Sequence, residues 1–206
     1  MYRILKEDDG TCSKLITLAI ALLFFAAMSS TSFSVRMAEA GGNTIYIRAD
    51  GAIDPPTAPI TKVNEKYTLT ANVAESLVIE KDNIVVDGAG HTVQGVGDVG
   101  LDLSHRNNVT VRNFRVVGFL IGVRLNSSDN NSIMFNDVRN NTDAGIQLYF
   151  SDHNRVTNNL ALNNKYGIQV VNSSDCNFCW NNVTNNWYGI FLNSRPSVIG
   201  NFILFE

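Results

Sequence analysis

Along the second half of the chain, two aliphatic positions repeatedly enclose one variable position. Leu101 and Leu103 enclose Asp102, Val123 and Leu125 enclose Arg124, and Ile146 and Leu148 enclose Gln147. Ile168 and Val170 then enclose Gln169, and Ile190 and Leu192 enclose Phe191. This is a period of two, with one face buried and one face wet. A glycine precedes each phrase. Gly100, Gly122, Gly145, Gly167 and Gly189 follow one another at steps of 22, 23, 22 and 22 residues. Two more apolar sets keep the same register: Val111, Ile133, Val156 and Phe178, then Val116, Val138, Ala161 and Val183. Three inward clusters per period predict three short strands per coil, and a fixed period of this length means stacked repeats. Successive coils then lie as parallel strands ~4.8 Å apart, with equivalent apolar residues in one continuous core. A sandwich does not repeat its side chains in register, and a propeller blade needs roughly 40–50 residues. The predicted fold is all-β, a parallel β-helix solenoid with three-strand coils of about 22 residues. The crossover preference of parallel strands makes it right-handed.

The same reading covers the rest of the chain. Thr44 to Arg48 alternates like a strand, and Lys66 to Thr70 reads as a second. Between them, Ala49 to Pro59 reads as turn chemistry, because Pro55 and Pro56 cannot donate to a ladder. Further strands are expected around Leu77–Ile79, Ile84–Val86 and Thr92–Val93. Asp87, in the phrase VVDGAG, is assigned to a corner between strands. Residues 41–74 are thus expected to form N-terminal capping strands and a loop, and residues 75–206 the coils. The last coil starts at Gly189 and reaches Glu206 after 18 residues, ending in the apolar NFILFE. An open β-helix end exposes unpaired backbone and a slice of core. The expectation is a truncated product, or an end covered by a further β-helix chain stacked end to end.

Residues 1–40 read as a signal peptide or N-terminal anchor. Arg3, Lys6 and Lys14 precede the 14-residue apolar run Leu15 to Met28, and Ala38-Glu39-Ala40 supplies small residues for cleavage after Ala40. Membrane contact is expected only through this segment. The expected destination is therefore outside the cytoplasm, secreted or at the cell surface.

Composition narrows the function. Of 206 residues, 45% are hydrophobic and 17% charged, with a net charge of −3. No basic patch of the kind nucleic acid needs is present, so nucleic acid is excluded as a partner. Asparagine is concentrated after residue 106 and follows the repeat. Asn136, Asn159 and Asn181 share one register, and Asn141, Asn164 and Asn186 share another. Asn and Gly tolerate the corner conformations, and stacked amides can hydrogen-bond along the stack. The asparagines also create glycosylation sequons at Asn108, Asn126, Asn130, Asn140, Asn172 and Asn182. Cys176 and Cys179 form CNFC without a second pair, too few ligands for a zinc site.

Two sets of side chains carry candidate chemistry. Asp102, Arg124, Gln147 and Gln169 face outward beside the glycines, with Tyr149, Trp187 and Phe191 close by. Amides pair with sugar hydroxyls, and aromatic faces pack on sugar C–H faces, so a polysaccharide or cell-surface glycan is the expected ligand. Asp129 and Asp152 share a register, with Asp175 one residue further along its coil. Stacked carboxylates repel unless a cation intervenes, which makes calcium the one candidate cofactor. The alternative is a corner in which each Asp caps a backbone N–H.

The stretches NTIYIRADGAIDPP, LVIEKDNIVVDGAGHTVQG and GIQLYFSDHNRVTNNLALNNKYG resemble exported archaeal right-handed parallel β-helix proteins. These are grouped with the β-helix domain of NosD, the periplasmic copper-binding protein of nitrous oxide reductase maturation, within a pectate-lyase-like superfamily. The resemblance covers about residues 43–206 and implies the fold and export. It also implies copper handling, but Met134, His91, His105, His153 and the CNFC pair do not fall into one register. The expected function is an exported, non-catalytic scaffold or carbohydrate-binding module. A polysaccharide lyase or hydrolase, or a fragment of one, is the enzymatic alternative, and copper handling is the third.

Overall fold

In the computed structural model, residues 44–193 are described. Twenty short strands follow in order: β1 (Ile45–Ile47), β2 (Ile53–Asp54), β3 (Ile60–Val63), β4 (Lys66–Leu69), β5 (Leu77–Ile79), β6 (Val85–Asp87), β7 (Thr92–Gln94), β8 (Val99–Asp102), β9 (Thr110–Arg112), β10 (Arg115–Val117), β11 (Ile121–Asn126), β12 (Ser132–Met134), β13 (Asp137–Arg139), β14 (Ala144–Tyr149), β15 (Arg155–Thr157), β16 (Leu160–Leu162), β17 (Tyr166–Val171), β18 (Asn177–Cys179), β19 (Asn182–Thr184) and β20 (Tyr188–Asn193). No helix occurs among the described residues.

The strands form three sheets. The first has eight strands in the order β2-β1-β5-β8-β11-β14-β17-β20, and the second has seven, β18-β15-β12-β9-β6-β4-β3. The third has five, β19-β16-β13-β10-β7. Apart from β2 and β3, which add antiparallel to β1 and β4, each sheet takes one strand per coil, so the chain is a parallel β-solenoid of about 6 turns. The predicted register holds. Leu101, Val123, Ile146, Ile168 and Ile190 pair in sequence, as do Val111, Ile133, Val156 and Phe178. Val116, Val138, Ala161 and Val183 pair in the third sheet. These residues are buried, except for the partly buried Ile190, and make one stacked core.

Residues 44–74 form a coil of their own. β1 pairs parallel with β5, β4 with β6, and Val73 bridges to Val93. A long insertion separates these strands. It is not turn alone, as expected from its prolines: β2 pairs antiparallel with β1, and β3 with β4. Pro55 and Pro56 follow β2 and do not sit inside it, so neither interrupts a ladder. Tyr67 fills the interior beneath the insertion and donates its hydroxyl to the carbonyl of Gly51 at 3.0 Å.

The phrase glycines are required by close packing. A Cβ added at Gly167 would lie 2.2 Å from Val183 Cγ1 and 2.7 Å from the Gly189 carbonyl oxygen. The first sheet presses against a third-sheet valine in the same way at Gly100 and Gly122, whereas at Gly145 the added Cβ would meet the Gly167 carbonyl and Asn164.

The asparagines divide into two roles. Asn140, Asn163 and Asn185 occupy the left-handed region, with φ of 55°, 56° and 53°, and turn the corner toward the first sheet. The residues directly after them, Asn141, Asn164 and Asn186, point inward and stack. Asn141 Nδ2 donates to Asn164 Oδ1 at 3.1 Å, and Asn164 Nδ2 to Asn186 Oδ1 at 3.1 Å. Asn136, Asn159 and Asn181 build a second ladder in the same way, with both amide steps at 3.0 Å. Each side-chain oxygen also accepts the backbone N–H of the residue one coil earlier. Buried corner amides would be orphaned by a three-strand coil, and the ladders satisfy them. Ser128, Ser151 and Ser173 form a hydroxyl ladder at the corner between the first and second sheets, at 3.1 and 2.9 Å.

Candidate functional site

The strands of the first sheet place five of the expected ligand-binding residues in one outward row. Asp102 pairs with Arg124, Arg124 with Gln147, Gln147 with Gln169, and Gln169 with Phe191. Two of the adjacent pairs bond side chain to side chain. Arg124 Nη2 lies 2.7 Å from Asp102 Oδ2, and Gln147 Nε2 donates to Gln169 Oε1 at 2.7 Å. Burial pushes the Asp102 carboxyl up, but bonds from Arg124 and Ser104 outweigh it and hold it below the usual carboxylate range. Arg124 Nε is buried and has no hydrogen-bond partner among the described residues.

Tyr149 falls outside this row. It pairs with Asn126 and Val171, and its ring meets Phe150 edge to face at 4.6 Å. Trp187 lies just before β20 and is 81% exposed. It extends an aromatic cluster whose other members are Phe191 and two tyrosines, Tyr166 and Tyr188, that the sequence pattern did not reveal. Tyr166 and Tyr188 stack at 5.1 Å with an interplanar angle of 14°, and Phe191 lies 5.1 Å from Tyr166. Trp187 stands 6.4 Å from Tyr188. Tyr166 and Tyr188 occupy the position before the phrase glycine, where earlier coils carry Val99, Ile121 and Ala144. The added Cβ of the next residue, glycine, points inward, so the residue before it faces out. In the first three coils that position holds small or aliphatic residues, and in the last two it holds tyrosines.

Beside this cluster, the corner between the third and first sheets carries a shallow hollow, wide open to solvent, of about 710 Å³. Asn140, Thr142, Asn163, Lys165, Asn185 and Trp187 line it, with the ladder residues between them. Lys165 Nζ sits 3.4 Å from Asp143 Oδ1 and 4.8 Å from the Tyr166 ring centroid. The Asp143 bond raises the pKa of the Lys165 ammonium.

The aspartates expected near calcium lie at the corner between the first and second sheets. Asp129 Oδ1 accepts the Asp152 backbone N–H at 2.7 Å, and Asp152 Oδ1 accepts the Ser174 N–H at 2.6 Å. Each carboxylate therefore caps a backbone donor of the next coil. Asp175 stands in the neighbouring left-handed row, 3.8 Å from His153 Nε2. His105 occupies a different row, that of Ser127, Phe150 and Asn172. Met134 and Cys179 do share an outward row of the second sheet, with Thr157 between them, a relation the sequence reading overlooked. Among the described residues no three of His, Cys, Asp and Glu are grouped as a metal site.

No curated protein matches the chain. Among solved structures, the periplasmic alginate epimerase AlgG is similar at 21% identity and a TM-score of 0.44, covering 63% of this chain and 35% of its own. The A-module of the mannuronan C-5 epimerase AlgE6 from Azotobacter vinelandii is similar at 20% identity and a TM-score of 0.39, covering 66% of this chain and 48% of its own. This chain thus spans between a third and a half of those proteins. Residues 28–203 match a family described as periplasmic copper-binding protein (NosD). By that match, nearly the whole length of the sequence, the chain belongs to the NosD family of β-helix proteins.

Proposed function

We propose that this chain is an exported β-helix protein, secreted or held at the cell surface, that binds carbohydrate without turning it over. The observation that carries this reading is the outer face of the first sheet at its last two coils. Tyr166, Tyr188, Phe191 and Trp187 form a continuous aromatic platform there, and the Gln147–Gln169 amides flank it. Aromatic faces pack on sugar C–H faces, and amides supply paired donors and acceptors to hydroxyls. The leader Leu15 to Met28 lies outside the described residues, and the periplasmic family supports export.

The same row argues against hydrolysis. Two carboxyl groups must flank a scissile glycosidic bond. The row from Asp102 to Phe191 holds a single carboxylate, and Arg124 keeps it ionised.

The family description names copper, and the residues present do not fit such a centre. Copper sites need convergent His, Cys or Met donors. Met134 and Cys179 are two coils apart, and the histidines lie in separate rows. Cys176 is enclosed in a corner stack, where burial pushes its thiol up to about 11. No step is therefore derived through copper.

The test is a glycan array probed with the exported protein, with and without calcium. Binding that weakens on Tyr166→Ala and Tyr188→Ala supports the reading. Product formation overturns the non-catalytic part, and absence of any binding leaves a scaffold alone.

A further inference from the structure

The hollow at the corner between the third and first sheets is lined by asparagines from three coils. We infer that it takes a neutral, linear glycan laid along the solenoid axis; this rests on the carbohydrate reading above and deepens it.

Three coils contribute one triplet each: Asn140-Asn141-Thr142, Asn163-Asn164-Lys165 and Asn185-Asn186-Trp187. Successive triplets are spaced by the strand separation of ~4.8 Å. The middle asparagine of each triplet is committed to the ladder. The first is exposed in the left-handed conformation with its amide turned outward, and Asn163 Nδ2 donates to Asn140 Oδ1 at 3.2 Å. The third varies, giving a hydroxyl, an ammonium and an indole. A ligand that repeats along the axis therefore meets an outward amide at every step and ends on Trp187. A branched ligand would leave that line.

Charge sets the class. Among the described residues, Lys165 is the one charged residue lining the hollow. Its ammonium is matched by Asp143 at 3.4 Å and lies against the Tyr166 ring. Lys165 is half exposed, so a uronate or phosphate could reach it, but the Asp143 carboxylate beside it offsets the attraction and repels the incoming anion. Hydroxyls can use the amides and Thr142 without disturbing that pair. From Trp187 the surface continues to Tyr188 at 6.4 Å, so the hollow and the aromatic platform form one track.

The experiment titrates the exported protein with linear hexasaccharides of glucose, mannose and galactose, and with hexasaccharides of the matching uronic acids. The expected result is that a neutral member binds more tightly than its uronic acid. Trp187→Ala should weaken that binding about tenfold, as loss of an exposed aromatic anchor does. Asp143→Asn frees Lys165 and should raise uronate affinity up to roughly fivefold, the scale of an exposed charge pair, with neutral binding unchanged. Preference of the native protein for the uronic acids overturns the inference. So does neutral binding that survives Trp187→Ala but is lost in Tyr166→Ala, because the ligand then sits on the platform and not in the hollow. Both of these outcomes leave carbohydrate binding standing. Failure of every sugar to bind overturns both readings together.

Discussion

Cys176 Sγ lies 3.3 Å from the carbonyl oxygen of Ser151, in the place where Asn154 Nδ2 meets the carbonyl of Ser128 one coil earlier. The thiol thus stands in for an asparagine in a stack that begins with Asn131 and Asn154. A thiol is a weak donor and acceptor, whereas a ladder amide makes full hydrogen bonds at both ends. Cys176→Asn should therefore stabilise the fold by about 1 kcal/mol, the net contribution of one such bond. Urea unfolding of the two proteins measures this. A loss of stability in Cys176→Asn would show that the corner is shaped for sulfur.

Asn159 is the centre of the second-to-third-sheet ladder. Its amide donates to Ile133 at 2.8 Å and to Asn181 at 3.0 Å, and its oxygen accepts from the backbone and side chain of Asn136 at 3.0 Å. Asn159→Ala leaves these buried groups unpaired and should cost about 2–3 kcal/mol. Asn163→Gly is the contrast. Asn163 is exposed at φ 56°, where glycine fits as well, so its change should stay within about 0.5 kcal/mol. Equal losses at the two positions would contradict the division of the asparagines into ladder and corner roles.

Gly167→Ala places a methyl group 2.2 Å from Val183 Cγ1 and 2.7 Å from a backbone oxygen that cannot rotate away. Overpacking of this kind costs about 1–3 kcal/mol. Gly90→Ala meets no atom within 4 Å but adopts φ +83°. It should cost about 1–2 kcal/mol, from backbone strain alone. Combining Gly167→Ala with Val183→Ala relieves the first clash and should recover part of the loss, while Gly90→Ala gains nothing from it. Thermal melts of the four variants separate the two mechanisms.

Asp87 predicts an acid-sensitive step. Burial pushes its carboxyl up, but Asn113, the Ala89 N–H, Lys66 and Arg112 outweigh burial and hold it at about 2, below its ordinary 3.8. A folded value depressed in this way contributes stability above the unfolded value, and that contribution is lost as pH falls from about 4 through 2. The shift corresponds to about 2 kcal/mol. Asp87→Asn should thus be less stable than the native chain at pH 7, and the two should converge near pH 2. Urea midpoints that differ equally at both pH values would remove the ion network as the cause.

Much of the fold was legible because identical side-chain types recur at one spacing. The glycine phrases set which residues pair, and the pairs Val123–Ile146 and Ile146–Ile168 follow from them. The asparagine rows were legible for the same reason. What escaped the sequence is where neighbouring positions diverge in role. Tyr166 and Tyr188 precede the glycine, and a simple alternation would turn them inward. The backbone departs from alternation there, because both the glycine and the residue after it face the core. The stack of Ser128, Ser151 and Ser173 escaped it too, since a hydroxyl ladder has no compositional mark. Met134 and Cys179 share a row two coils apart, and a local motif search does not join residues at that distance.

The register has a consequence for how long such a molecule needs to be. Each coil meets the next through the same atoms, so the interior has translational symmetry and no coil marks the middle. Removing residues 144–165 would join Asp143 to Tyr166 and bring Asn136 onto Asn181, Asn141 onto Asn186 and Ser128 onto Ser173. Every ladder would close again, one rung shorter. Length is therefore a free variable for this architecture, adjustable by whole periods. The tyrosines before Gly167 and Gly189 would keep their place at the far end whatever the number of coils before them.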